Sequence, residues 1–249
     1  MCPPAIETTD LTKHFGDETA VSGLDLSVPR GEIFGFLGPN GAGKTTTIRM
    51  LATLTRPSSG TARIAGADVT DRQAVVPHLG YLPESPPLYD ELTAYEQLEY
   101  IADLRDIDAD ERIESLLDRF ALVEDASRRI GTYSKGMKQK LGLIQALMHD
   151  PDVLLLDEPT SGLDPRAART VRDLIAEVAA DETTVFLSTH ILPVVEELAD
   201  RVGVLYDGDL VAEGAPADLA DRLEAGDERT LENVFLEVTD DRRTVDPSD

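Results

Sequence analysis

Gly38-Pro39-Asn40-Gly41-Ala42-Gly43-Lys44-Thr45-Thr46 follows an apolar run, Ile33-Phe34-Gly35-Phe36-Leu37, and precedes a stretch with helical spacing. G-x-x-x-x-G-K-[ST] between a strand and a helix is the pattern of a phosphate-binding loop. Its glycines let the backbone curl so that successive N–H groups face phosphate oxygens. A helix beginning near Gly43 adds the positive end of its dipole. Lys44 is then placed to reach β- and γ-phosphates, and the Thr45 hydroxyl to ligate Mg²⁺. The spacing predicts a buried strand over 33–37 and a helix from Gly43 to about Leu54. Arg56-Pro57-Ser58-Ser59-Gly60 supplies the stop.

Working outward, residues 5–37 read as short strands and turns, with Leu24-Asp25-Leu26-Ser27-Val28 alternating before Pro29-Arg30-Gly31. Further strands are expected over 61–64 and 79–82. From about 84 to 150 the texture turns helical. Thr93 and Glu96 form a plausible capping box, Ile113, Leu116, Leu117 and Phe120 repeat at helical spacing, and another helix spans about 135–148. Strand–helix alternation resumes with strand 153–156, helix 165–179, strand 184–188 and helix 191–199. Segments 202–206 and 210–213 then form a hairpin through Asp207-Gly208-Asp209. The pattern implies an α/β domain over 1–220 with a mainly parallel sheet and an inserted helical lobe at about 84–150. Residues 215–238 read as two short helices, and the polar tail from Thr239 as frayed. Together, 221–249 form an extension.

Charge is the unusual property. Asp and Glu number 48 against 23 Lys and Arg, a formal net charge of −25, and only five of the 249 residues are lysine. Nucleic acid is a poor partner for such a surface, because phosphate backbones need clustered cations. Disorder from excess charge is opposed by 41% apolar content. Adaptation to concentrated salt fits better, since screening at about 1 M confines carboxylate repulsion to about 3 Å. The melting temperature is therefore expected to rise from low salt to molar KCl; a fall would contradict this reading. Cys2 is the lone cysteine, which excludes an intramolecular disulfide or a Cys-rich metal site. The start of the sequence lacks the apolar core of a signal peptide. Apolar runs fall far short of the roughly 20 residues of a membrane helix. A soluble, cytosolic chain without direct membrane insertion is expected, with any membrane association made through a partner.

Val153-Leu154-Leu155-Leu156-Asp157-Glu158 reads as a central parallel strand ending in two carboxylates. Alone, the acids could merely terminate a strand. Beside a phosphate loop, Asp157 is placed to bind Mg²⁺ through water and Glu158 to polarise a water attacking the γ-phosphate.

Taken in order, the phosphate loop, Tyr133-Ser134-Lys135-Gly136-Met137, Val153–Glu158, Ser161-Gly162-Leu163-Asp164 and His190 resemble the motifs of ABC-type ATPases over nearly the whole chain. The likeness extends to nucleotide-binding subunits of daunorubicin-resistance-like exporters, also through Leu231-Glu232-Asn233-Val234-Phe235-Leu236-Glu237. The resemblance implies a P-loop NTPase fold with a RecA-like parallel core, an N-terminal antiparallel β-subdomain and an inserted helical lobe. It implies ATP and Mg²⁺ as cofactors and hydrolysis of ATP. It also implies a second ATPase subunit and a separate integral membrane permease, which would hold the chain on the inner face of the membrane.

Site residues follow from the same resemblance. Gly38 through Thr46 would hold the phosphates, with Thr45, Asp157 and, more weakly, Glu84 at the metal. Ser134, Lys135, Gly136 and Met137 would meet the γ-phosphate held by the opposite subunit; a serine cap and a bare glycine leave a helix start open to an anion. The pattern departs from the family at Lys135 and Met137, where Gly and Gln are usual. His190 would hydrogen-bond the γ-phosphate and the attacking water and so sense ATP against ADP, Phe15 would stack on adenine, and Asp164 would couple the two sites while capping a helix. Glu84 stands where glutamine is usual and adds negative charge, and 85–99 would face the permease. Two rivals are a soluble ABC ATPase not coupled to transport, and a P-loop kinase, which leaves Ser134–Met137 and His190 without a task.

Overall fold

The computed structural model describes residues 3–221. Its strands are β1 (Ile6–Phe15), β2 (Glu18–Val28), β3 (Ile33–Leu37), β4 (Ser59–Ile64), β5 (Ala67–Asp68), β6 (Leu79–Leu82), β7 (Val153–Asp157), β8 (Thr184–Thr189), β9 (Arg201–Tyr206) and β10 (Asp209–Gly214). The helices are α1 (Lys44–Leu51), α2 (Arg72–Val75), α3 (Ala94–Arg105), α4 (Asp110–Arg119), α5 (Lys135–Leu147), α6 (Pro165–Ala180), α7 (Leu192–Leu198) and α8 (Pro216–Asp221).

β3 is buried at all five positions. It lies inside a six-stranded sheet of order β10-β9-β3-β8-β7-β6, parallel except for the β9–β10 hairpin. A parallel strand covered on both faces must be apolar throughout, and the runs at 33–37 and 153–156 are. Phe186 of β8 lies 5.5 Å from Phe34 and 5.1 Å from Phe36, ring centre to ring centre. The second sheet, β2-β1-β4-β5, is antiparallel and shares its core with the side of the parallel sheet that carries α1. Helices α3, α4 and α5 come between β6 and β7 and pack around Leu98, Leu117, Phe120 and Leu141, as an inserted helical lobe.

Local chemistry explains most boundaries. The Thr93 hydroxyl accepts from the Glu96 N–H while the Glu96 carboxylate accepts from the Thr93 N–H, the reciprocal box the sequence shows. Asp164 accepts from the N–H groups of Arg166 and Ala167 and starts α6 ahead of Pro165. Three expectations change. The N-terminal strands are long, 10 and 11 residues, not short, because register shifts let one hairpin stay paired along its length. α1 stops at Leu51, not Leu54, where Thr53 turns to a left-handed φ of 60°. The four-residue α2, capped by Asp71, has no apolar period to announce it. Of the two helices expected over 215–238, α8 is seen; the other and the tail from Thr239 lie outside the described residues.

Candidate functional site

The ends of β3, β7 and β8 converge at the carboxyl edge of the parallel sheet, where ligands of open α/β folds bind. A cleft of about 390 Å³ lies there. Its walls include Phe15, Asn40, Gly41, Gly43, Lys44, Thr45, Thr46, Glu84, Glu158 and His190, so residues scattered over 176 positions meet in one place. Two glycines of the loop are fixed by packing. A Cβ on Gly38 would lie 2.4 Å from the Leu205 carbonyl oxygen, and one on Gly43, at φ 103°, would lie 2.3 Å from that of Ala20. Ala42 is buried, Pro39 half-buried, and Gly43 precedes the first turn of α1.

Lys44 is only 6% exposed. Its ammonium donates to the carbonyls of Gly38 at 2.7 Å and Pro39 at 3.1 Å and stands 3.5 Å from Glu158 Oε1. Burial draws its pKa below the usual lysine range, opposed by the charges of Glu158 and Asp157. Asp157, the last residue of β7, accepts from the Thr45 hydroxyl at 3.1 Å and the Ser188 hydroxyl at 2.7 Å. Next along the chain, Glu158 takes a left-handed φ of 48°, uncommon for a residue with a side chain. Its N–H bonds to the Ser188 carbonyl at 3.1 Å, and its carboxylate meets His190 Nδ1 at 3.0 and 3.1 Å. The turn therefore sends the side chains of Asp157 and Glu158, adjacent in sequence, to different partners, Thr45 and Ser188 for one and His190 and Lys44 for the other.

Among the described residues, no group of three or more His, Cys, Asp or Glu side chains could hold a metal ion by itself. Mg²⁺ usually takes one or two carboxylates and fills its octahedron with water and phosphate oxygens. The paired hard oxygens of Thr45 and Asp157 fit that demand. So does the charge balance: Glu18, Glu84 and Glu158 line the cleft with one lysine, and a triphosphate placed among them needs a divalent cation.

Burial pushes the Asp157 carboxyl above the usual range, against the hydrogen bonds from Ser188 and Thr45 and with the Glu158 and Glu84 charges adding to it. A raised folded-state pKa leaves no penalty below about pH 4 and an increasing one as pH rises through the folded value. Asp157→Asn is thus expected to raise the melting temperature by a few degrees at pH 7 without Mg²⁺ or nucleotide, the gain vanishing towards pH 4. Thermal melts at both pH values check this, and a lower melting temperature for the variant at pH 7 contradicts it.

Phe15 lines the cleft and is 53% exposed, with the Lys13 ammonium 4.9 Å from its ring centre. Glu84 accepts from the Ser161 hydroxyl at 3.3 Å, which links the start of the helical lobe to the Ser161–Asp164 loop. The four residues Ser134, Lys135, Gly136 and Met137 are not part of the cleft lining. Ser134 caps α5 by accepting from the Met137 N–H at 3.2 Å, Gly136 lies against Ala167, and Met137 packs on the lobe's core. The Lys135 ammonium stands over Gly162, where a Cβ would be 2.4 Å from it. The sequence points to Ser161 only as part of the Ser161–Asp164 motif and does not single out Ser188, Glu18 and Ala20 as site residues. A strand-end serine two residues before His190 was the available signal for Ser188; the other two depend on the hairpin and loop geometry.

This sheet order, with a phosphate loop after one central strand and a carboxylate pair after another, defines a P-loop NTPase of the ABC ATPase type. The family description "ABC transporter" matches residues 21–161. The chain belongs to that family and is an ATP-binding, ATP-hydrolysing subunit of it. It is 42% identical over 210 residues to the bacitracin transport ATP-binding protein BcrA of Bacillus licheniformis, covering 84% of this chain and 69% of that one. It is 44% identical over 223 residues to the daunorubicin/doxorubicin resistance ATP-binding protein DrrA of Streptomyces peucetius, covering 88% and 68%. A solved ATP-binding subunit of an ABC transporter superposes with a TM-score of 0.83 at 31% identity, covering 94% of this chain and 99% of that one. No helix of the described residues is long and apolar enough to cross a membrane.

Proposed function

We propose that this chain powers a membrane exporter, working as a dimer around two Mg-ATP and driving a separate permease. One observation carries the reading: the cleft gathers residues of the phosphate loop, Glu158 and His190, with Asp157 accepting from the loop's Thr45, whereas the capped start of α5 at Ser134–Gly136 lies outside it with Ser134 exposed. A second subunit would bring that helix start to the γ-phosphate, where N–H groups and dipole favour an anion. Phe15 would take the adenine, the Gly38–Thr46 backbone and Lys44 the phosphates, and Thr45 and Asp157 the Mg²⁺. When bound, Mg²⁺ would neutralise phosphate charge and fix its geometry. Glu158 would orient and deprotonate the attacking water, steadied by His190, so that positioning and charge account for the rate. Asp164, capping α6 in the loop after Glu158, would couple one site to the other. The drug-resistance and bacitracin-transport names of the relatives favour export, and attachment to the inner membrane face would follow from the permease.

Co-expression with a neighbouring gene that encodes about six apolar spans tests this. The two chains are expected to co-purify in detergent, with ATP hydrolysis stimulated by the cargo. Recovery of the chain on ribosomes or DNA, with no membrane protein retained, would instead favour an ABC ATPase outside transport.

A further inference from the structure

The β1–β2 hairpin turns through Gly16 and Asp17 and pairs Phe15 directly with Glu18. Cross-strand partners carry their side chains on one face, and both of these line the cleft. Two residues further along β2, Ala20 also lines it, with its carbonyl oxygen packed against Gly43 of the phosphate loop. Two residues of strand cover about 7 Å. Glu18 therefore sits about 7 Å along the strand from the contact with the loop, paired with the aromatic residue of the cleft.

Its chemistry differs from that of the other cleft carboxylates. Glu158 is bound by His190 and Lys44, and Glu84 by Ser161. The Glu18 carboxylate has no hydrogen bond or ion pair with the described residues. An ionised carboxylate is an acceptor-only group with two oxygens side by side, matched to a pair of neighbouring hydroxyls. A carboxylate reads ribose in this way in dinucleotide folds. An aromatic face, by contrast, accepts any base.

We propose that Glu18 reads the sugar of the bound nucleotide, its carboxylate accepting from the 2′- and 3′-hydroxyls, so that the cleft selects ribonucleoside over 2′-deoxyribonucleoside triphosphates. The inference rests on the cleft being the nucleotide site. Glu18 is exposed at a hairpin end, so Glu18→Ala and Glu18→Gln leave the fold intact, which melting curves verify.

Titration calorimetry with ATP, 2′-deoxyATP and GTP provides the test. The wild type is expected to bind ATP about tenfold more tightly than 2′-deoxyATP. Glu18→Ala brings the two within about twofold, and Glu18→Gln keeps an intermediate ratio because its amide oxygen still accepts. An ATP to 2′-deoxyATP ratio unchanged in Glu18→Ala overturns the proposal. If the ATP to GTP ratio shifts instead, the carboxylate acts on the base; if all three affinities change by one factor, it acts only as a charge. A wild type that binds none of the three removes the cleft assignment itself, a different failure from the loss of sugar selectivity alone.

Discussion

Glu158→Gln is expected to lower steady-state ATP hydrolysis by about 10²-fold or more while leaving ATP binding intact. The amide has the carboxylate's size and can occupy the same left-handed turn at φ 48°. It can still meet His190 and Lys44, now at 3.0 and 3.5 Å. What it loses is basicity and a negative charge beside the γ-phosphate position. On the proposed function the first would abolish water activation and the second would remove a repulsion, so bound ATP should persist. Phosphate release after rapid mixing with radiolabelled ATP measures both effects. Hydrolysis at the normal rate in this variant would assign the base elsewhere.

Lys44→Ala is expected to weaken ATP binding by about 10²-fold or more. Lys44 is the only lysine among the cleft residues, against Glu18, Glu84 and Glu158. Removing one partner of a buried pair leaves the other uncompensated, typically by several kcal/mol. A triphosphate would then face these carboxylates with loop N–H groups and metal as its only counterweights. Stability should fall as well, by a few degrees of melting temperature, because Gly38 and Pro39 lose the donor on their carbonyls. Calorimetric titration with Mg-ATP checks the first effect; an affinity within threefold of wild type contradicts it.

Much of this was legible because period and burial coincide. The runs at 33–37 and 153–156 are apolar throughout since both faces of their strands are covered, and Thr93 and Glu96 announce a helix start by local bonding alone. Glu158 and His190, in the cleft lining, belong to the ordered motifs, and Phe15 and Glu84 were expected there from the family resemblance. Other features depend on tertiary placement. Register shifts carry β1 and β2 through positions that read as turns, and Ser188 reaches Asp157 only because β8 lies beside β7. The position of Lys135 over Gly162 likewise needs α5 and the Ser161–Asp164 loop brought together. A linear pattern holds no trace of such contacts.

On the proposed function the cleft is half a site, completed by the α5 start of a second subunit. Light scattering on Glu158→Gln with saturating Mg-ATP measures it directly. Twice the chain mass is expected with ATP, the single-chain mass with ADP, and loss of the larger species when Gly136 is also replaced by a bulky residue. A single-chain mass at saturating ATP would contradict it.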